Sequence, residues 1–160
     1  MLYELTGTDL AEIFGITETN AIEIISEVGL DMSKWPTVKH FTSWLNLAPN
    51  NKISGGKVLS SRIPKKKNHA GQIFRMAAFA IQRSKNWLAM FYNRIKAKNG
   101  APKAIVATAR KIAAIFYKMI KERVKFNPIP NEKYMDGFKE NQIKKLKRQA
   151  KNLGLQIVEM

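Results

Sequence analysis

Apolar residues recur along most of this chain at intervals of three and four, a spacing that predicts a succession of helices rather than strands. Leu10, Ile13 and Phe14 predict a short helix, Gly15-Ile16-Thr17 a turn, and Ile22, Ile24, Ile25 and Val28 a second helix capped by Gly29. Residues 9–29 thus have the outline of a helix-hairpin-helix. Trp35-Pro36-Thr37 opens another helix, because proline fits a first turn and threonine caps one, and Val38, Phe41, Trp44 and Leu45 follow at helical spacing. Trp35 and Trp44 suit a core, with base stacking as their other role. Leu47-Ala48-Pro49 ends that helix, and the periodicity lapses over residues 50–67.

It resumes at Asn68. Ile73, Phe74, Ala77, Ala80 and Ile81 line one face of a helix, with Arg75 and Arg83 projecting elsewhere. Trp87, Leu88, Met90, Phe91 and Ile95 make the next, which stops at Asn99-Gly100. Pro102 starts a long helix through Ile105, Ala109, Ile112, Ala113, Phe116 and Ile120, whose alanines suit close helix packing. Asn127-Pro128-Ile129-Pro130 breaks the chain before a final amphipathic helix of Tyr134, Phe138, Ile143, Leu146 and Leu153. The expected fold is all-α: a helix-hairpin-helix-like pair and a helical bundle carrying an irregular, hairpin-like basic loop. Residues 1–126 form the main domain, with helices over 68–124, and residues 127–160 a C-terminal helix and tail.

Composition sharpens this picture. At 160 residues and 45% hydrophobic, the chain is long and apolar enough for one domain with its own core. It has no cysteine, hence no disulfide framework and no thiolate metal site, and its two histidines, His40 and His69, are too few for a zinc cluster. No segment reads as a signal peptide or approaches the length of a membrane span, so a cytoplasmic protein is expected.

Charge changes the picture most. Residues 1–31 carry seven acids and no Lys or Arg, residues 32–121 carry nineteen Lys or Arg and no acid, and residues 122–160 carry nine bases against five acids. The long acid-free window cannot neutralise itself, which favours a polyanionic partner, and a nucleic-acid phosphate backbone is the commonest. The acids around Gly15-Ile16-Thr17, among them Asp9, Glu12 and Glu18, would repel a phosphate, so the hairpin offers either a DNA contact or a packing contact.

Within the basic window, Asn50-Asn51-Lys52-Ile53-Ser54-Gly55-Gly56-Lys57 places a serine beside a glycine pair. Taken alone, Ser-Gly-Gly is a weak signal that reads better as a flexible turn. As a site it has three assets: a hydroxyl able to attack a phosphodiester, glycines that admit a nucleic-acid backbone closely, and cations to meet the developing negative charge. The candidate nucleophile is Ser54. The candidate nucleic-acid contacts are Lys52, Gly55, Gly56, Lys57, Arg62, Lys65, Lys66, Lys67 and Arg75. A general base is missing nearby, and so are the carboxylates that would hold catalytic metals.

The wording around this segment is informative. Trp35-Pro-Thr-Val-Lys-His-Phe-Thr-Ser-Trp-Leu-Asn-Leu-Ala-Pro, Asn51-Lys-Ile-Ser-Gly-Gly-Lys-Val-Leu-Ser-Ser-Arg, Arg75-Met-Ala-Ala, Phe91-Tyr-Asn-Arg, Gly100-Ala-Pro-Lys-Ala-Ile and Ala107-Thr-Ala-Arg-Lys-Ile-Ala stand in this order. They resemble the C-terminal transposase domain of the insertion-sequence one-ten family, bridge-RNA-guided DEDD-type serine transposases of mobile elements. The resemblance is collinear over nearly the whole chain.

It implies DNA transposition by recombination. Ser54 would act as nucleophile for strand cleavage and joining in a composite active site, completed by an N-terminal RuvC-like domain whose acids bind Mg²⁺. DNA, a guide RNA, other transposase subunits and that domain would be the partners, in the nucleoid-associated cytoplasm of a bacterium or archaeon. These 160 residues contain no such acidic domain, so the sequence reads as a part of such an enzyme, with no cofactor of its own and no activity expected in isolation. Two other readings are a non-catalytic DNA- or RNA-binding remnant of such a transposase and an RNA-coating protein of the ribosomal kind. The latter shares the charge but gives no reason for this order of motifs.

Overall fold

The fold is taken from a computed structural model that describes residues 2–49, 51–62 and 68–158. Among the described residues, seven α-helices and one β-hairpin divide into two units, residues 1–127 and 128–160. In the first unit, α1 (Leu2–Thr6) precedes a 3-10 turn at Leu10–Glu12, α2 (Glu18–Val28), a second 3-10 turn at Met32–Lys34, α3 (Val38–Trp44), the hairpin strands β1 (Lys52–Ser54) and β2 (Lys57–Ser60), α4 (His69–Ala80), a third 3-10 turn at Ile81–Arg83, α5 (Trp87–Asn99) and α6 (Ala101–Glu122). The chain is thus mainly helical, as the periodicity predicts.

α6 is the central strut, packing against α3, α4 and α5. Its length follows from its composition: Pro102 lies in the first turn, small residues alternate with large apolar ones, and Arg123 ends it in the left-handed conformation. Ala104, Ala109 and Ala113 are fully buried and let neighbouring helices approach, while Ile112 and Phe116 fill the space between. Phe74 of α4 meets Phe116 edge-on at 5.4 Å, and Phe41 of α3 lies 5.4 Å from Tyr117. Tyr117 also donates from its hydroxyl to the Trp35 carbonyl at 2.7 Å, which ties α6 to the entry of α3. Trp35 is buried against Phe41, so it belongs to the core, whereas Trp44 is partly open.

The N-terminal segment differs from the helix-hairpin-helix expected there. Its first helix is only the 3-10 turn, because the side chain of Asp9 accepts from the Ala11 amide and Ile13 is already extended. Thr17 is the N-cap of α2. Its hydroxyl accepts from the Asn20 amide at 3.2 Å, and the Asn20 side chain accepts from the Thr17 amide in return. Gly15 takes φ +83°, and a Cβ there would stand 2.7 Å from the Ala77 carbonyl oxygen. The turn therefore packs against α4, and two of its amides, those of Ile16 and Thr17, are already paired.

The acids of this segment are used in the same way. Glu27 of α2 accepts from the Ala70 amide in the first turn of α4, and Glu23 lies 3.7 Å from the His69 imidazole. Carboxylates at a helix N-terminus satisfy its unpaired amides and its dipole. Asn68 completes the cap by accepting from the Gly71 amide at 2.7 Å, and a Cβ on Gly71 would collide with the Leu45 carbonyl oxygen. The C-cap of α3, Leu45, thus meets α4 backbone to backbone.

The second unit holds α7 (Asn131–Asn152), in which no residue is buried. Its apolar stripe, including Met135, Ile143 and Leu146, is exposed.

Candidate nucleic-acid interface

The segment read as an irregular, hairpin-like loop is an antiparallel hairpin, and its sequence explains why. Ser54 pairs with Lys57 across a two-residue turn, with Gly55 at φ +53° and Gly56 at +74°. Positive φ at both central positions is the type I′ pattern whose twist matches two flanking strands, and it is costly for any residue with a Cβ. A register shift between Lys52 and Ile53 adds a bulge near the base.

This geometry sorts the side chains. Alternation puts Lys52 and Ser54 on one face of β1, with Lys57 directly across from Ser54, while Ile53 pairs with Val58 on the other. Lys52, Ser54 and Lys57 are all exposed, and Ile53, Val58 and Leu59 remain 63%, 57% and 70% accessible. Neither glycine has any atom within 4 Å of a notional Cβ. The serine thus stands at the tip of a projecting arm with two lysines beside it.

Of the other basic residues singled out in the sequence, Arg62 is exposed just past β2. Lys65, Lys66 and Lys67 lie outside the described residues. Arg75 is elsewhere: on α4, partly buried, its guanidinium donates to the Asn46 carbonyl at 2.7 Å. Burial pushes it below the ordinary arginine value, though a guanidinium remains cationic at neutral pH. Asn46 is left-handed at φ 55°, so Arg75 secures the chain reversal after α3, and the fold already uses one of its donors.

Residues that sequence reasoning missed lie at the foot of the arm. Pro49 and Ser61, which flank the hairpin, share a cavity of about 640 Å³ with α3, α5 and α6. Val38, Leu47 and Val106 give it apolar walls, Phe91 contributes an aromatic face, and Lys103, Arg110 and Lys111 supply three cations. The Lys111 ammonium stands 5.7 Å from the centroid of Phe91, and Arg94 flanks the same ring at 5.3 Å. The signal was available in part, since positions 103, 107, 110, 111 and 114 share one face of a helix.

Among the described residues, no group of three or more His, Cys, Asp or Glu could hold a metal ion, and no helix is long and apolar enough to cross a membrane. No curated protein and no solved structure matches the chain. Residues 7–93, more than half of it, match the sequence model of the Transposase IS116/IS110/IS902 family, from the N-terminal turn into α5 and including the whole hairpin. A basic, mainly helical chain whose serine-tipped arm falls inside that match belongs to the Transposase IS116/IS110/IS902 family.

Proposed function

We propose that this chain is the DNA-binding, serine-bearing part of a transposase and that Ser54 is the nucleophile of strand cleavage and joining. The observation that carries this reading is the placement of Ser54 at the tip of an exposed arm, with Lys57 opposite and Lys52 on the same face.

In the proposed step, the Ser54 hydroxyl oxygen attacks a DNA phosphorus. A serine–phosphate bond forms as the bond to the leaving sugar oxygen breaks, and the link conserves the energy needed for rejoining. Lys52 and Lys57 neutralise charge that builds on the phosphoryl oxygens. The serine proton passes to a base outside the hairpin, which carries no acid or histidine, and the leaving sugar oxygen takes up a proton as its bond breaks. A separate carboxylate-bearing domain would supply that base and bind Mg²⁺, and a guide RNA would select the DNA.

The type I′ turn leaves Ser54 as the last residue of β1, and the open space around the glycines admits a bulky duplex. The test is strand joining in a complete, RNA-guided system reconstituted with this chain. Ser54→Ala is expected to abolish joining while leaving DNA affinity within about twofold. Joining at the wild-type level by Ser54→Ala would exclude Ser54 as nucleophile. If the wild type bound DNA but never joined strands under these conditions, the second reading, a non-catalytic nucleic-acid-binding remnant, would be favoured.

A further inference from the structure

The cavity at the foot of the hairpin has no part in the chemistry just described, yet it is built for a particular ligand. Its walls combine an apolar cleft, the face of Phe91 and the cations Lys103, Arg110 and Lys111, with no acid among its lining residues. Its volume of about 640 Å³ falls within the range of small-molecule sites, roughly 300–1,000 Å³. An apolar slot with an aromatic face accepts a flat heterocycle, and cations at the rim accept the anion attached to it. The unit that carries both, and that a strongly cationic surface would gather, is a nucleotide.

We infer that this cavity holds one unpaired nucleotide of the DNA strand handled at the hairpin, its base against Phe91 and its phosphate on the α6 cations. A base inside a duplex has both faces stacked and cannot enter, so the occupant must be extruded or unpaired. Position argues for that strand. Ser61 directly follows Ser60, which pairs with Lys52, and Ser54 stands two residues beyond Lys52. At strand rise the pocket's rim is therefore roughly 10 Å from the serine, about three base-pair steps along DNA. The pocket would anchor the strand a few nucleotides from the phosphate presented to Ser54. This inference rests on the DNA-handling reading above but needs no cleavage.

The test is equilibrium binding of the whole chain to three DNA duplexes: one fully paired, one with a single bulged base, and one with an abasic bulge at the same place. Wild type should prefer the bulged base over both controls by about tenfold, in keeping with base–aromatic stacking. The abasic probe separates base recognition from the bend that any bulge introduces. Ala107→Phe, which fills the cavity without changing charge, should erase the preference and leave affinity for paired DNA within about twofold. Equal binding of all three probes by wild type, with salt-sensitive binding intact, would overturn the pocket alone. Absence of salt-sensitive DNA binding would overturn both this inference and the function on which it rests. A stronger preference for the same bulge in RNA would overturn the assignment to the DNA strand.

Discussion

Two glycines and one arginine separate what holds this protein together from what it presents outward. Gly15 and Gly55 both adopt positive φ, but a Cβ on Gly15 meets the Ala77 backbone at 2.7 Å, whereas one on Gly55 meets nothing. Gly15→Ala should therefore add steric overlap to left-handed strain and cost roughly 2–4 kcal/mol, read as a lower urea midpoint. Arg75 has an equally definite place in the fold. Its bond to Asn46 closes the turn between α3 and the hairpin, so Arg75→Met should cost about 1–3 kcal/mol of stability while the folded variant keeps DNA affinity within about twofold. A large affinity loss without destabilisation would return Arg75 to the nucleic-acid contacts. Composition and spacing placed it among the cations, and only the tertiary contact reveals which carbonyl it serves.

At the scale of elements, the hairpin is the outlier. Both its faces are open, and a two-stranded ribbon without a covered face is marginal in water. Backbone amides of β1 and β2 should exchange with solvent far faster than those in the middle of α4 and α6, and Gly55→Ala should leave the global urea midpoint unchanged. Slow exchange at Ile53 and Val58 would mean that the arm is covered even in the isolated chain. How legible each element was follows from its length and from where its partners lie. α5 and α6 could be read directly, because Gly100 and Pro102 punctuate two long periodic stretches. α1, at five residues, is too short to establish a period, and Leu10, Ile13 and Phe14 have helical spacing although the chain there makes only one 3-10 turn. In Ser-Gly-Gly-Lys the turn chemistry was visible, but strands of three and four residues give no alternation to count. The cavity was hidden because its walls come from α3, α5 and α6, far apart in sequence, although its α6 cations share one helical face.

Across the whole molecule, charge is divided by purpose. Glu23 and Glu27 of the acidic N-terminal stretch engage the start of α4, but residues 32–121 themselves carry nineteen Lys or Arg and no acid. Binding to DNA should therefore be strongly salt-dependent, weakening about a thousandfold between about 50 and 200 mM salt if about six phosphates are engaged. Salt-insensitive binding would contradict the electrostatic account. The chain's place in the transposase family and its helical scaffold are observations, and the role of Ser54 is the claim that joins them. It is tested most directly by incubating the chain with a separately supplied RuvC-like domain, guide RNA, Mg²⁺ and nicked target DNA, then mapping any denaturant-resistant protein–DNA adduct by peptide mass spectrometry. The account predicts a nucleotide phosphate on the peptide containing Ser54, lost in Ser54→Ala. An adduct on another residue, or strand joining with no adduct at all, would contradict it.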